Sequence, residues 1–325
     1  MMSFAFAWLM AGTALAQQPP VQEQVTVDLV ELTVHASDPS GEPVRDLKAS
    51  DFRVLVDGAA VEIESLEWSG TLQTEGGPAP TAPGRLMVLM FQWEIQAQKA
   101  EGHVRMARQA LEFVETLEPD DRVAVLAFGS RLWLRQDFTS DHALLRSAIL
   151  NALVAKNAPT NAGQPTLAAA AAAGEGATSI DKALLAVGHA LRPLPGAKAI
   201  LFFGWGIGSW NALSADGQLG KTAYSADFEE ARKALQSAQA PVFVLDTSGG
   251  HHQLQEGLSH LAFETGGFYF PTHDFPRWAM KTVARAVSGH YALVFKPPPG
   301  PRGVHTIELA SPRKLVLLYR QTYEN

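Results

Sequence analysis

Polar and aromatic side chains that are suited to binding follow two long apolar runs of the sequence. In chain order they are Gln92, Trp93, Glu94 and Gln96 after the run 86–91, and Trp205 and Trp210 after the run 199–203. Amides and indoles bind through hydrogen bonds and apolar contacts, whereas Mg²⁺ needs about six oxygen ligands. Among these side chains only Glu94 is charged. The two segments therefore favour recognition of a ligand over metal chemistry or catalysis.

Motifs of the common catalytic sites are missing from the sequence. There is no nucleophile elbow, no His-Glu-x-x-His pair and no P-loop, and the absence of cysteine excludes thiolate catalysis and cysteine-based zinc sites. We expect Asp120-Asp121 in a solvated loop, because the pair follows Pro119 and precedes an apolar run. We expect His251 and His252 in an exposed loop, because adjacent side chains rarely chelate one ion without further ligands. Enzymatic activity is not expected.

Alternating apolar and amphipathic segments predict the scaffold that positions these side chains. Continuous apolar runs suit parallel strands that helices cover on both faces, and here they are 86–91, 123–128, 199–203 and 242–245. Helices are predicted at 98–117 and 227–239, and Thr139 or Ser140 is the expected N-cap of another helix. The predicted fold class is α/β, with a doubly wound, mostly parallel, Rossmann-like sheet.

The two ends of the chain show β patterning instead. Residues 52–63 predict a hairpin, because Asp57-Gly58 supplies the positive φ that a tight turn needs. Further strands are predicted at 291–295, 304–309 and 315–319. Each end of the chain has about three predicted strands, which is few for a domain that is stable alone. We expect the ends to combine into one small β-sandwich, into which the α/β domain is inserted.

These patterns divide the chain into segments. The predicted segments are a signal peptide at 1–16, an N-terminal β region at 24–70, a Gly/Pro-rich linker at 71–84, the α/β domain at 85–289 and the C-terminal strands at 290–325. An Ala/Gly-rich insertion at 157–176 is expected to be structural filler, with a short helix at 167–173. The signal peptide is inferred from an apolar segment that ends in Ala14-Leu15-Ala16 before a Pro-rich stretch. Export to the periplasm or the exterior is therefore expected.

Charge and composition narrow the class of partner. The net charge is −7, and no run of Lys and Arg is long enough to form a stripe that binds nucleic acid. After the signal peptide no stretch reaches the roughly 18 uninterrupted apolar residues of a membrane-spanning helix. The mature chain is therefore expected to have no transmembrane span, and a protein is the expected partner.

Several short motifs resemble one family in their residues and in their order. They are Val44-Arg-Asp-Leu47, Asp51-Phe-Arg-Val-Leu-Val-Asp-Gly58, Asp120-Asp-Arg-Val-Ala-Val125, Phe138-Thr-Ser-Asp141, Gly176-Ala-Thr-Ser-Ile-Asp-Lys-Ala-Leu184, Val244-Leu-Asp246 and Glu264-Thr-Gly-Gly-Phe-Tyr-Phe270. The α/β region resembles a von Willebrand factor A (vWA) domain, and the chain after the signal peptide resembles the VWFA-related Acidobacterial family of exported bacterial proteins. The resemblance implies that the first and fourth strands are neighbours at the sheet edge where ligands bind.

The resemblance also implies a lost metal site. A metal-binding vWA domain has Asp-x-Ser-x-Ser after its first strand, a Thr from a later loop and an Asp-Gly pair after its fourth strand. Here these positions hold, in chain order, Gln92, Glu94 and Gln96, then Thr178, and then Trp205-Gly206. Both carboxylates are replaced, so a degenerate metal-ion-dependent adhesion site is expected, with no bound metal and no cofactor. The similar-looking segment Asp246–Gly250 is expected to be a turn.

Tryptophans follow both strands at this edge. Trp93 comes after the first strand, and Trp205 and Trp210 come after the fourth, so three indoles are expected to converge there. They either form an aromatic recognition surface or fill the vacated metal site. The glycines at 204, 206 and 208 are expected to leave the backbone pliable.

Taken together, these residues predict an exported, non-catalytic protein that mediates protein–protein interaction without a bound metal. Two alternatives stay open. One is a metal-dependent adhesin that uses Glu94 and Thr178, and the other is a structural envelope protein with no ligand at this face.

Overall fold

The computed structural model describes residues 29–70, 84–93, 97–152, 166–174, 176–213, 219–273 and 276–324. Within these ranges the strands are β1 (Val30–Ser37), β2 (Arg53–Val56), β3 (Ala59–Val61), β4 (Ile63–Gly70), β5 (Leu86–Gln92), β6 (Arg122–Phe128), β7 (Leu132–Thr139), β8 (Lys198–Gly204), β9 (Ser209–Leu213), β10 (Leu219–Ala223), β11 (Val242–Asp246), β12 (Tyr269–Pro271), β13 (Gly289–Phe295), β14 (Val304–Ala310), β15 (Val316–Leu318) and β16 (Thr322–Glu324). The helices are α1 (Ala97–Val114), α2 (His142–Ala152), α3 (Ala168–Gly174), α4 (Ile180–Leu191), α5 (Ala226–Ser237), α6 (Gln255–Thr265) and α7 (Pro276–Ala286), with one turn of 3-10 helix at Ala49–Asp51.

The central sheet is built from the apolar runs of the sequence. Its strand order is β12-β11-β8-β5-β6-β7. Neighbouring strands are parallel except for β7, which runs antiparallel to β6 at one edge. All seven residues of β5 are buried, because β5 lies inside the sheet and helices cover both of its faces. The first and fourth strands of this sheet in chain order, β5 and β8, are neighbours as the resemblance implied.

Helices pack on both faces of this sheet. Alternate residues of β5 belong to different hydrophobic clusters, since side chains of a strand point to opposite faces. Met87 packs in a cluster with residues of α1, α2 and α7, whereas Val88 packs in a cluster with residues of α3, α4, α5 and α6. The prediction of a doubly wound, mostly parallel α/β sheet is therefore confirmed.

Strands from the two ends of the chain interleave in two further sheets. Their orders are β15-β1-β13-β4 and β16-β14-β2-β3, and neighbouring strands in both are antiparallel. Buried residues of both sheets form one hydrophobic cluster that includes Leu32, Val54, Leu293 and Ile307. Neither end of the chain therefore buries its apolar side chains without the other.

The predicted hairpin is present, with one addition. Asp57 and Gly58 have φ angles of 49° and 80°, and they connect β2 to β3. The chain then passes from one sheet to the other, because Ile63 opens β4 and pairs with Phe295 of β13. Glu62 is the single residue between the end of β3 and the start of β4.

Two local predictions are wrong. The side chain of Asp141, not of Thr139 or Ser140, accepts hydrogen bonds from the backbone N–H groups of Ala143 and Leu144 at the start of α2, at 2.8 and 3.2 Å. The Ser140 hydroxyl instead accepts a hydrogen bond from Arg122. A carboxylate is well suited to this position because it complements the positive end of the helix dipole.

Asp121 is the second correction, since it is fully buried and not in a solvated loop. Its carboxylate forms a bidentate ion pair with Arg85, in which Nε lies 2.8 Å from Oδ1, and it also accepts the backbone N–H of Glu118. Arg85 in turn donates to the carbonyl of Val287 at 2.8 Å. The pair therefore connects the starts of β5 and β6 with the end of α7. Asp120 is exposed, as predicted.

Some predicted segments lie outside the described residues. They are the signal peptide at 1–16, almost all of the linker at 71–84 and the first part of the insertion at 157–176. The short helix predicted at 167–173 is present as α3, and the buried Asp137 accepts the backbone N–H of Leu167 just before it. No helix in the described parts of the chain combines the length and apolarity that a membrane crossing requires.

Candidate functional site

Gln92 joins the carboxyl ends of β5 and β8. Its buried amide uses both of its polar atoms: Nε2 donates to the carbonyl of Gly206 at 2.9 Å, and Oε1 accepts from the backbone N–H of Trp205 at 3.0 Å and of Gly206 at 3.4 Å. The backbone carbonyl of Gln92 accepts a hydrogen bond from Nε2 of the buried His103 on α1. The Gln92 side chain therefore connects the end of β5 to the loop that follows β8.

Close packing accounts for the glycines of the segment after β8, and the expected pliability of their backbone stays a prediction. The carbonyl of Gly204 accepts hydrogen bonds from the backbone N–H and the hydroxyl of Thr247, at 2.8 and 3.1 Å. A Cβ at Gly206 would lie 2.8 Å from Cβ of Leu254, and Gly208 adopts a φ of 87°. These glycines are needed because a side chain would clash or would strain the backbone.

The three tryptophans lie on different segments of this edge. Trp93 is partly buried, donates its backbone N–H to the carbonyl of Phe128, and lies against Gly129, where an added Cβ would be 3.5 Å from its ring. Trp205 is partly buried next to the Gln92 amide. Trp210 is 43% exposed on β9. Their convergence into one aromatic surface stays a prediction.

Trp210 belongs to a hairpin that the sequence analysis did not predict. β9 and β10 pair only with each other in the described part of the chain, with Trp210 opposite Thr222. Thr222 is buried and its hydroxyl donates to the carbonyl of Gln253. The hairpin therefore stands on the loop before α6 and presents an indole to solvent.

The remaining predicted site residues are only partly described. Thr178 is exposed and lies just before Ser179, whose hydroxyl caps α4 by accepting the backbone N–H of Lys182 at 3.3 Å. Glu94 and Gln96 lie outside the described residues. The proximity of Thr178 to Gln92 therefore stays a prediction.

The segment that begins at Asp246 is a turn, as predicted, and it is the centre of a polar network that the sequence analysis missed. Oδ1 of the buried Asp246 accepts the backbone N–H of Ser248 at 2.8 Å, and Oδ2 accepts from the Tyr269 hydroxyl at 2.6 Å and from Nε2 of His252 at 2.9 Å. The prediction of an exposed loop is therefore wrong for the partly buried His252 and right for His251. Asp246 and Tyr269 both lie in motifs of the family resemblance, but nothing in the sequence indicates the hydrogen bond between them.

Electrostatics keep Asp246 ionised and Tyr269 protonated. Burial acts to raise the pKa of the Asp246 carboxyl, but hydrogen bonds from His252, Tyr269 and Ser248 outweigh it and hold this pKa below its usual value. Burial, together with the hydrogen bond to Asp246, raises the pKa of the Tyr269 hydroxyl. The network ties the end of β11 to β12 and to the loop before α6, and we assign it a positioning role.

The residues at this edge do not fit the divalent cation that a vWA site holds. Oε1 of Gln92 already accepts two backbone N–H groups, and its Nε2 is a donor, which repels a cation. Trp205 follows β8, where the resemblance to a vWA domain implies a carboxylate, and its indole ring offers no oxygen. Among the described residues, no three His, Asp or Glu side chains are grouped as a metal site would require.

Comparisons with known proteins give structural similarities only. No known protein family matches the sequence, and no curated protein matches it. Among solved structures, the conserved hypothetical protein BatB from Bacteroides thetaiotaomicron is 14% identical with a TM-score of 0.42, covering 62% of this chain and 97% of BatB. A mutant of the PilB minor pilin from Streptococcus sanguinis is 9% identical with a TM-score of 0.42, covering 82% of this chain and 89% of the pilin.

A third similarity is to a protein with a metal site. Proximal thread matrix protein 1 from the mussel byssus, solved with a zinc-occupied MIDAS motif, is 17% identical with a TM-score of 0.43, covering 66% of this chain and 49% of that protein. At TM-scores this low, the assignment of the central sheet rests on its own strand order and not on these similarities.

Proposed function

We propose that this chain is an exported, non-catalytic, vWA-like protein that binds a protein partner at the carboxyl edge of its central sheet without a metal ion. One observation carries the proposal: the Gln92 amide bonds to Trp205 and Gly206 where a metal-binding relative holds its ion. Hydrogen bonds within the chain thus connect the two strand ends that a cation connects in a metal-binding vWA domain. The surface is formed before any partner arrives, which reduces the entropic cost of binding.

Two features of this edge support a protein as the ligand. The indole of Trp210 is large, apolar and 43% exposed, and tryptophan is enriched among the residues that contribute most to protein interfaces. The hairpin that carries it is fixed at its base through Thr222 but has unpaired edges within the described residues. A partner can therefore bury the indole and hydrogen-bond to the exposed strand edge.

The proposal includes an architecture for the whole chain. A signal peptide at 1–16 is cleaved, the strands at 30–70 and 289–324 form a β-sandwich around their shared core, and the α/β domain is inserted between them. The interleaved strand orders and the shared hydrophobic cluster support this arrangement. A Gly/Pro-rich linker at 71–84 connects the two parts.

Calorimetric titration with Mg²⁺, Mn²⁺ and Ca²⁺ tests metal independence. We expect no heat of binding for any of the three ions, since no described cluster of ligands is available. Micromolar binding that is lost in a Thr178→Ala variant would instead support the metal-dependent adhesin that uses Glu94 and Thr178.

Photo-crosslinking tests the interaction surface. A photo-reactive amino acid in place of Trp210 is expected to give one crosslinked protein product in an envelope extract, and capture by the unlabelled chain is expected to be lost in Trp210→Ala and in the double variant Trp93→Ala/Trp205→Ala. Trp278→Ala is the matched control, because Trp278 is also exposed but lies on α7. Folded variants that all capture the same products would favour a structural protein with no ligand at this face.

A further inference from the structure

A cavity of about 170 Å³ lies between the α/β domain and the sheet that contains β1. Phe268, Phe270 and Trp278 form an aromatic wall, in which the ring centroid of Phe270 lies 4.8 Å from that of Phe268 and 5.6 Å from that of Trp278. The loop that follows β1 contributes polar lining. The cavity shares no lining residue with the edge that carries Gln92 and Trp210.

One side of α7 borders the cavity. Trp278, Thr282 and Arg285 all line it, and their spacing of four and three residues places them on the same face of the helix. Trp278 is 60% exposed, so the aromatic wall extends to the solvent. Arg285 donates to the carbonyl of Ser40 at 3.0 Å and forms an ion pair with Glu42. The loop after β1 is therefore held against the last turn of α7.

This loop presents a carboxylate with one unused oxygen. Oδ1 of Asp38 accepts the backbone N–H groups of Ser40 and Glu42 at 2.8 and 3.0 Å and the Ser40 hydroxyl at 2.6 Å. Oδ2 has no hydrogen-bond partner among the described residues. The hydrogen bonds, that of the Ser40 hydroxyl foremost, hold the pKa of the Asp38 carboxyl below its usual value. Asp38 is therefore ionised at neutral pH.

The other ionisable groups that line the cavity do not cancel this charge. The positive charge of Arg285 is balanced by its ion pair with Glu42. His35 is buried, and burial lowers its pKa to about 4, so its ring is uncharged at neutral pH. Among the described lining residues, Asp38 thus carries the one charge that is not balanced within the chain. A negative charge beside an aromatic wall suits an organic cation with an apolar stem.

We propose that this cavity binds a short primary alkylammonium ion, whose stem packs against Phe270 and Trp278 and whose ammonium donates a hydrogen bond to Oδ2 of Asp38. The volume agrees with a stem of about five carbons, because a cavity of about 150 Å³ accepts benzene. An ammonium fits a single free oxygen, whereas a guanidinium is suited to pairing with both oxygens of a carboxylate. Oδ1 of Asp38 is already occupied by three hydrogen bonds.

Titration of the purified chain with pentylamine and with 1-pentanol tests the proposal without any variant. The two molecules are similar in length, but only pentylamine is protonated at neutral pH, as lysine is. In ¹H–¹⁵N NMR spectra, pentylamine is expected to shift the signals of the Ser40 backbone N–H and the Trp278 indole N–H. We expect it to bind about two- to fivefold more tightly than 1-pentanol, as expected for one exposed ion pair. Equal binding of the two molecules, or no shift with pentylamine, would overturn the proposal.

An Asp38 variant tests the carboxylate. Asp38→Asn keeps an acceptor at Oδ1 for the loop but removes the charge, so pentylamine affinity is expected to fall about two- to fivefold, to that of 1-pentanol. Asp120→Asn is the matched control, because it removes an exposed carboxylate that does not line the cavity. It is expected to leave pentylamine binding unchanged. Equal affinities of the two variants would overturn the assignment of Asp38.

A Trp278 variant tests the apolar wall. Trp278→Ala removes a contact with the stem, so it is expected to weaken pentylamine and 1-pentanol by a similar factor, about two- to fivefold. Trp210→Ala, the matched control at another exposed indole, is expected to leave both affinities unchanged. The Ser40 signal reports binding in both variants. Unchanged affinities in Trp278→Ala would overturn the placement of the stem.

A lysine side chain presents the same ammonium on a protein partner. N-acetyl-lysine N-methylamide carries it on a stem of about four carbons, and its two amides must stay outside a cavity of this size. This derivative is expected to bind no more tightly than pentylamine. Tighter binding would show that the rim of the cavity contacts a peptide, and it would overturn the assignment of a free amine.

Discussion

At the scale of single residues, Gln92 shows how one neutral side chain can connect the ends of two neighbouring strands. Its amide supplies one donor and one acceptor to the backbone of Trp205 and Gly206, and it is almost completely buried. A metal ion joins such strand ends by attracting oxygens from both, whereas an amide joins them by pairing with their backbone groups. The Gln92 amide therefore fixes the geometry of this edge through hydrogen bonds, and it places no carboxylate there for a cation.

Removing the Gln92 amide should destabilise the protein. Gln92→Ala leaves the N–H groups of Trp205 and Gly206 and the carbonyl of Gly206 without a partner, so we expect the free energy of unfolding to fall by about 2–4 kcal/mol in urea denaturation. The exposed Gln253 is the matched control. Gln253→Ala should change the free energy of unfolding by less than about 0.5 kcal/mol. Equal effects of the two substitutions would contradict the bridging role.

His35 predicts a pH dependence of stability. The folded state lowers its pKa from 6.5 to about 4, so between these values the unfolded chain binds a proton that the native chain does not. Stability should therefore fall as the pH falls from about 6.5 to 4, by ~3 kcal/mol from this residue. The nearby His290 contributes in the same direction, since burial lowers its pKa also. Urea denaturation at several pH values should show a shallower slope in His35→Asn, and an unchanged slope would count against this assignment.

At the scale of elements, the starts of β5 and β6 and the end of α7 depend on one buried ion pair. Arg85 and Asp121 are 36 residues apart in sequence, and the side chain of Asp121 is completely buried. The second contact of Arg85, to the carbonyl of Val287, brings the last helix of the α/β domain into register with the sheet. A buried charge of this kind is tolerated only while its partner is present.

Removing one partner of this ion pair should therefore destabilise the protein more than replacing both partners with apolar residues. Asp121→Ala leaves the Arg85 guanidinium buried without its partner, and we expect a loss of about 3–5 kcal/mol in the free energy of unfolding. The double variant Arg85→Met/Asp121→Leu should recover a large part of this loss, because no uncompensated charge stays buried. Thermal or urea denaturation measures both, and a double variant as unstable as Asp121→Ala would refute the argument.

The start of α2 gives a smaller prediction at the same scale. Asp141→Ala removes the acceptor for the N–H groups of Ala143 and Leu144, and it should destabilise the protein by about 1 kcal/mol. Ser140→Ala is the neighbouring control, since the Ser140 hydroxyl accepts only from Arg122 among the described residues, and its effect should be smaller. The reverse order of these two stabilities would contradict the assignment of Asp141 as the cap.

At the scale of the whole molecule, the first and last parts of the chain are mutually dependent. β1 lies between β13 and β15, so both of its neighbours come from the last 37 residues, counted from Gly289 to Asn325. Tyr291 adds a further tie, because its hydroxyl donates to the carbonyl of Val44 and accepts the N–H of Leu47. The α/β domain is thus bounded by two chain segments that fold together.

Truncation tests this dependence. A chain that ends at Ser288 lacks β13 to β16, and we expect residues 30–70 to become sensitive to protease, because β1 loses both neighbouring strands. Limited proteolysis followed by mass spectrometry measures the cleavage, with the full chain as the protected control. Protection of residues 30–70 in the truncated chain would show that the first four strands do not need the last four.

Elements whose signal is local could be predicted from the amino-acid sequence. Continuous apolar runs predicted β5, β6, β8 and β11 because a strand buried on both faces has no polar positions, and Asp57-Gly58 predicted the hairpin because few residues tolerate positive φ. The edge strand β7 and the hairpin of β9 and β10 were missed because their residues mix polar and apolar types. The position of Gln92 after the first strand was also local information.

Contacts between side chains that are distant in the sequence became visible only in the folded chain. Asp121 was expected in solvent because it follows Pro119 and precedes an apolar run, and no signal near it in the sequence indicates a contact with Arg85. His35 finds its carbonyl partners about 250 positions later, at Ala286 and Gly289, and the cavity beside it is lined by segments from both ends of the chain. Burial and hydrogen-bond pairing are properties of distances in space, which a linear pattern does not contain. Gln92 illustrates both cases. Its position at the end of a strand could be predicted from the sequence, whereas its hydrogen bonds depend on the loop after β8, which packs against it.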